Sequence, residues 1–286
     1  MIGAAQPSAA DAGRAPMRRS YGINMPQMAL GGLSEAWLFR ELGDLHWAMI
    51  CEGLRAKSSE MADANGDRLY ATFTRIRIES SVPLLGYREN DPLTAEAQIS
   101  RFGGSVFLGE AAMVSGERSI RAQLMSSFTK RSDPDSNLSL LKGQPAIPAG
   151  CDVPLLPQLP SFAQEYRVVR AVKDRPVIHE RRYDIQPHHD INGVGLLYFA
   201  AYPTINDLSE LSHMANATDW CLNYSTVERD VYYFGNCNID DKIIYRLHDM
   251  EHQGDGVRLT SSLFREKDNA LIAHVSVVKR RLADGA

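Results

Sequence analysis

The chain has 286 residues, with 31 Lys+Arg against 35 Asp+Glu (net charge −4), 44% hydrophobic and 23% charged residues. This balance argues against a basic nucleic-acid-binding surface, and the length suffices to bury a core without disulfide or metal staples. Cys51, Cys151, Cys221 and Cys237 are too dispersed for a zinc site and read as reduced thiols of a cytoplasmic protein, and no apolar run reaches membrane-spanning length.

Residues 1–20 are rich in Ala, Gly and Arg and lack an apolar segment, which predicts a disordered leader and not a secretory signal. The first folded unit is expected over residues 21–131. Its centre is Gly31 to Leu54, where Trp37, Leu38, Leu42, Leu45, Met49, Ile50 and Leu54 carry the three-and-four spacing of a buried helix. Ser34 suits the N-cap, and Gly31-Gly32 before it would leave main-chain N–H groups facing a ligand oxygen. Four strand-like runs follow, Leu69–Ile78, Leu93–Phe102, Ser105–Val114 and Ser119–Lys130, separated by turns short enough to imply an antiparallel sheet.

Residues 132–161 hold six of the fourteen prolines and predict an extended linker. A second unit is expected over residues 162–286. It begins with two extended runs between Tyr166 and Ile185. A second buried helix is expected over Asp190–Leu211, opening on Asn192, Gly193 and Gly195, with Pro203 kinking it or ending its first segment. Val227–Cys237, Lys242–Glu251, Gly256–Glu266 and Leu271–Arg280 then read as four more strands. "Glycine turn, buried helix, four strands", twice over, predicts an α+β fold of the double hot-dog type, each long helix wrapped by an antiparallel sheet.

Three blocks, GLSEAWLFRELGDLHW (residues 32–47), RLYATFTRIRI (68–78) and NGVGLLYFAAYPTINDLSE (192–210), resemble the bifunctional acyltransferase/decarboxylases of polyketide biosynthesis, the leinamycin-pathway type. The resemblance spans both halves, roughly Asn24 to Leu282. It implies a double hot dog that takes methylmalonyl-CoA, moves the acyl group to the phosphopantetheine of an acyl carrier protein and releases CO2, with no further cofactor. It also implies that a tyrosine accepts the acyl group, here Tyr70.

The chemistry admits more than one assignment. Main-chain donors at Gly31, Gly32, Asn192 and Gly193 would stabilise an enolate or oxyanion. A phenol titrates near 10, so Tyr70 acts either as an activated nucleophile or as a neutral hydrogen-bond donor. Asp190, His188 or His189 would serve a hot-dog thioesterase or dehydratase as acid or base; alternatively Asp190 caps the following turn beside two surface histidines. His46 either faces the pocket or is a satisfied helix histidine. Arg181-Arg182 and Lys279-Arg280-Arg281 are candidate contacts for a CoA phosphate or an acidic carrier protein, and a homodimer is the expected assembly. A carrier-binding protein without turnover is the non-enzymatic alternative.

Overall fold

The structure, a computed structural model, describes residues 15–172 and 175–282. In chain order it contains β1 (Met17–Gly22), β2 (Met28–Ala29), β3 (Gly32–Leu33), α1 (Glu35–Gly53), β4 (Tyr70–Ser80), β5 (Pro92–Phe102), β6 (Val106–Ser115), β7 (Arg118–Arg131) and β8 (Leu140–Lys142). There follow α2 (Ser161–Ala171), β9 (His179–Asp184), α3 (Pro187–Asp190), α4 (Ala201–Leu211), α5 (Ala217–Asn223), β10 (Tyr224–Tyr233), β11 (Lys242–Gln253), β12 (Gly256–Arg265) and β13 (Ala270–Arg281).

The main sheet runs β1-β5-β6-β7-β4-β10-β13-β12-β11-β9, with β8 added beside β7. This order is a palindrome: each half reads edge strand, three meander strands, then the strand that meets its counterpart. The halves join through the antiparallel β4·β10 pair, from Glu79↔Glu228 to Arg75↔Tyr232. Both junction strands carry a bulge, between Phe73 and Arg75 and between Thr226 and Glu228. Aligning these bulges makes Phe73 equivalent to Thr226 and, through the neighbouring pairs Phe73↔Ser126 and Thr226↔Lys279, Ser126 equivalent to Lys279. The double hot-dog architecture is therefore present in backbone pairing.

Each half wraps a helix. α1 buries Leu38, Leu42, Leu45, Met49 and Ile50 of the expected stripe, with Leu54 buried just after it; Phe39 and His46 are buried too, and Trp37 stays half-buried. Ser34 caps it, accepting from the Trp37 amide at 3.3 Å, so the helix proper begins at Glu35. Gly31 and Gly32 lie before it in the β2–β3 hairpin; its turn takes left-handed backbone at Leu30 and Gly31 (φ 52 and 86). Gly32 has a separate constraint. A Cβ there would lie 2.4 Å from Leu85 Cα, so only glycine lets the hairpin lie on the segment after β4.

Four expectations need correction. The single helix over Asp190–Leu211 is instead α3, an irregular segment and α4. The Asn192 side chain accepts from the amides of Val194 (3.1 Å) and Leu196 (3.0 Å), and Gly195 is left-handed (φ 79), which turns the chain before a helix can form. Pro203 does not end a helix: it lies in the first turn of α4, where an N–H would have no partner within the helix. The first extended run expected after Tyr166 is helical, as α2; Phe162 and Ala163 bury on the outer face of the sheet against Leu108 and Met125, and this packing overrides the β-branched Val168-Val169. Finally, the leader boundary at residue 20 falls inside β1, which pairs with β5 from Met17↔Ala97 onward; residues 1–14 lie outside the described ones.

The segment before α4 crosses to the first half. Phe199 packs on Phe73 (centroids 4.5 Å apart) and fills the recess at Gly43 of α1, where a Cβ would fall 2.1 Å from the ring. Gly43→Ala is therefore expected to lower unfolding stability by about 1–3 kcal/mol despite alanine's better helix propensity, measured by chemical denaturation.

Candidate functional site

Under α4, the inward faces of β10 and β13 carry charge where their alternation calls for apolar side chains. On β13, Ala273, Val275 and Val277 point into the core, and Lys279 follows in the same register, 7% exposed. On β10, the bulge puts Arg229 on the same face as Thr226, Val231 and Tyr233, and it is fully buried. The core-facing stripe of α4, Tyr202, Ile205, Asn206, Ser209 and Glu210, supplies three polar side chains, all fully buried.

These groups form one network. Lys279 Nζ donates to Asp207 (2.7 Å) and Glu210 (2.8 Å). Arg229 donates to Asp207 (2.7 Å) and through Nε and Nη2 to Glu35, the first residue of α1, which also accepts from Thr226 Oγ1 at 2.6 Å. Asn206 donates to Glu210 (2.5 Å) and accepts from Ser261 (2.5 Å). Asp207 is the outlet to solvent, its side chain 35% exposed. Four buried polar atoms at or around the network lack a well-formed hydrogen bond: Arg229 Nη1, Ser209 Oγ, Tyr245 Oη and Trp220 Nε1.

The electrostatics follow from burial and charge count. Three carboxylates face two cations. Burial alone would push Asp207 up, but Arg229 and Lys279 outweigh it and hold its carboxyl below the usual range. Glu210 is shifted the other way: burial, with Asp207 adding to it, raises its pKa despite Lys279. Of these two neighbouring carboxyls, the solvent-facing Asp207 is thus the one held ionised, and the buried Glu210 is the one that gives up its proton less readily.

The residues expected from sequence are distributed otherwise. Tyr70 begins β4. Leu69, Ala71 and Phe73 face the core, so Tyr70 and Thr72 face away. The Tyr70 hydroxyl accepts from Arg131 Nη1 at 3.4 Å, and the guanidiniums of Arg131 and Arg68 lie 5.1 and 5.5 Å from its ring centroid. Arg131 also donates to the Val194 carbonyl (2.7 Å), so the 192–196 turn does approach Tyr70. Gly31 and Gly32 do not: the Gly32 contact lies beyond Ser80, at the far end of β4. Asn192 spends its side chain on its own turn, and Gly193 is solvent-exposed with open space around its Cα; the first turn of α4 begins at Ala201.

Asp190 is a structural carboxylate. It accepts from the Gln186 amide (2.7 Å) and the Tyr183 hydroxyl (2.9 Å), closing the turn of α3, while His188 and His189 are exposed. His46 is sealed between α1 and the sheet, bonded to Ser126 (2.8 Å), with Nδ1 unpartnered near Gly109; burial pushes its pKa down to about 3. Through the strand equivalence, Ser126, which bonds His46, corresponds to Lys279, which bonds Glu210, in the other half. Lys279 is thus an interior charge, unavailable to a CoA phosphate, and Arg182 pairs with Glu266.

On the outer face, Ser262 lies between His248 (2.9 Å) and His274 (3.0 Å). His248 Nδ1 bonds the Pro176 carbonyl, so its Nε2 accepts from Ser262. Ser262 is fully buried. Two concavities of about 550 and 460 Å3, one over the outer face at Arg77 and Arg121 and one at Asp63, Lys130 and Lys142, touch neither Tyr70 nor the α4 network.

The network was readable in part. Asn206, Ser209 and Glu210 fall at core-stripe spacing inside a quoted block, and Lys279 falls on the inward alternation of its strand. What the sequence does not contain is that Glu35, 194 positions before Arg229, closes the cluster from the other half.

No family model matches the chain, and no curated protein matches it. Solved structures do match in fold. A Lactobacillus plantarum protein named as an oleoyl thioesterase aligns over 94% of this chain and 96% of its own at 12% identity, TM-score 0.67. The 12:0-ACP thioesterase of Umbellularia californica aligns over 93% and 94% at 10% identity, TM-score 0.62, and an acyl-ACP thioesterase of Bacteroides thetaiotaomicron over 93% and 98% at 11%, TM-score 0.59. At these identities the likeness establishes the hot-dog fold.

Burial also pushes His274 down to about 3. Neither His46 nor His274 should titrate above pH 4 in a histidine NMR titration. Because the unfolded histidines bind protons below about 6.5 and the folded ones do not, each should remove about 1.4 kcal/mol of stability per pH unit as pH falls from 6 toward 4.

Proposed function

We propose that this chain is an enzyme acting on acyl thioesters, hydrolysing an acyl-CoA or acyl-carrier-protein at the network under α4. The observation that carries this is Asp207: a carboxylate open to solvent on one side and held ionised by Arg229 and Lys279 on the other. The acyl-thioesterase names of the fold neighbours support the same chemistry.

In this reading Asp207 accepts a proton from a water molecule, and the water oxygen attacks the thioester carbonyl. The carbonyl electrons move to oxygen, and the unpartnered Nη1 of Arg229 is the donor for that oxyanion. The oxyanion collapses, the C–S bond breaks, and the sulfur leaves with a proton returned through the Asp207 carboxyl. Lys279 keeps Asp207 and Glu210 oriented and limits the cost of burying both.

A second reading has its own observation. The Tyr70 hydroxyl against Arg131 suits the acyltransfer and decarboxylation of methylmalonyl-CoA, with acyl carrier protein as acceptor, implied by the resemblance to the polyketide enzymes. It places chemistry roughly 35 Å from Thr226, from the rise of about 3.3 Å per strand residue. The two readings therefore separate by mutation. Free CoA and carrier-protein mass are measured after incubation with acyl-CoAs and methylmalonyl-CoA, with and without a holo carrier protein. Hydrolysis should dominate, and Asp207→Asn should lower kcat/KM by about a hundred- to ten-thousand-fold while Tyr70→Phe stays near wild type. Propionyl-carrier product lost in Tyr70→Phe and retained in Asp207→Asn would select the second reading.

A further inference from the structure

Ser209, on the inner face of α4, and Tyr245, beneath it, are fully buried without a well-formed hydrogen bond: Ser209 has no partner, and the Tyr245 hydroxyl has only the neighbouring Ser261 hydroxyl. Tyr245 lies on β11 near Ser261, whose hydroxyl is already donated to Asn206. A buried hydroxyl without a well-formed bond is destabilising, so two of them in one layer call for a partner that enters the site. Their surroundings are polar as well: Asn206, Glu210 and Ser261 line the same layer and Lys279 closes it toward Asp207. A long alkyl chain passing Asp207 into this layer would desolvate charged and amide groups without bonding them.

We infer that the acyl group selected under α4 is short and carries an uncharged oxygen, a hydroxyl or keto group, which Ser209 and Tyr245 bind. This rests on the reading of the network as the thioester site and names its substrate class. The charge count decides against a carboxylate on the acyl group. Glu35, Asp207 and Glu210 already outnumber Arg229 and Lys279, and the one unpartnered donor on them, Arg229 Nη1, is given to the thioester oxygen, so a fourth carboxylate would find no counter-ion of its own. A hydroxyl or keto oxygen needs only the Ser209 and Tyr245 hydroxyls.

The test uses non-hydrolysable thioether analogues of CoA bound to the full chain, read by calorimetry, so that recognition is measured apart from turnover. The probes are S-butyl-CoA, S-(3-hydroxybutyl)-CoA, S-(3-carboxypropyl)-CoA and S-dodecyl-CoA. The hydroxybutyl probe is expected to bind about tenfold or more tighter than the butyl one and tighter than the other two. In Tyr245→Phe and Ser209→Ala, which keep shape and remove one hydroxyl each, that ratio should shrink toward one. Equal binding of butyl and hydroxybutyl probes would mean that the hydroxyls hold only internal water and would overturn the inference. So would preference for the dodecyl or carboxypropyl probe, or an unchanged ratio in both variants. Preference without CoA release from any thioester would sink the hydrolase reading and leave the recognition intact; release without preference would do the reverse.

Discussion

The structure depends on a buried ion pair that crosses between its halves. Glu35 opens α1 in the first half, and its carboxylate is held by Arg229 of β10 in the second, with Thr226 as a third partner. Arg229 is fully buried and still has Asp207 on its other side. Two charges withdrawn from water are tolerated only when they meet, so this contact fixes how α1 sits relative to β10. The β4·β10 backbone ladder makes the sheet continuous; the Glu35–Arg229 contact sets what lies on it.

The same contact explains why the helix-covered face is charged in one half and apolar in the other. By strand equivalence, Thr226 and Lys279 correspond to Phe73 and Ser126. In the first half the space is filled by Phe73, Phe199 and the neutral His46–Ser126 pair, and Gly43 admits the Phe199 ring. In the second half, charged partners accumulate around Arg229, and Glu35 reaches in where Phe199 reaches the other way. Duplication supplies two similar frames, and side-chain chemistry makes one apolar and sealed, the other ionic with a solvent outlet at Asp207.

Local periodicity made the frame legible. The eight strands β4–β7 and β10–β13 and the helix α1 follow from alternation and from three-and-four spacing, signals carried within a few neighbouring residues. The errors arose where tertiary contacts decided the outcome. The outer face of the sheet made Ser161–Ala171 helical, and the Asn192 side chain delayed α4 to Ala201. The candidate residues fared differently because a glycine before a helix and an acidic residue after histidines have structural uses. Gly32 admits Leu85, and Asp190 closes a turn. The charged network was hidden by sequence distance, since residue 35 meets residue 229.

The central claim is that Glu35 and Arg229 stabilise each other across the halves, and a double-mutant cycle on unfolding free energy tests it most directly. Wild type, Glu35→Gln, Arg229→Met and the double variant are compared by urea denaturation. A coupling energy of about 2 kcal/mol or more, with the double variant more stable than the sum of single losses predicts, is the expected result. Additive losses, with coupling below about 0.5 kcal/mol, would show that the halves are held without this pair, by the backbone ladder, apolar packing and the Arg75–Asp230 pair on the other face of the junction.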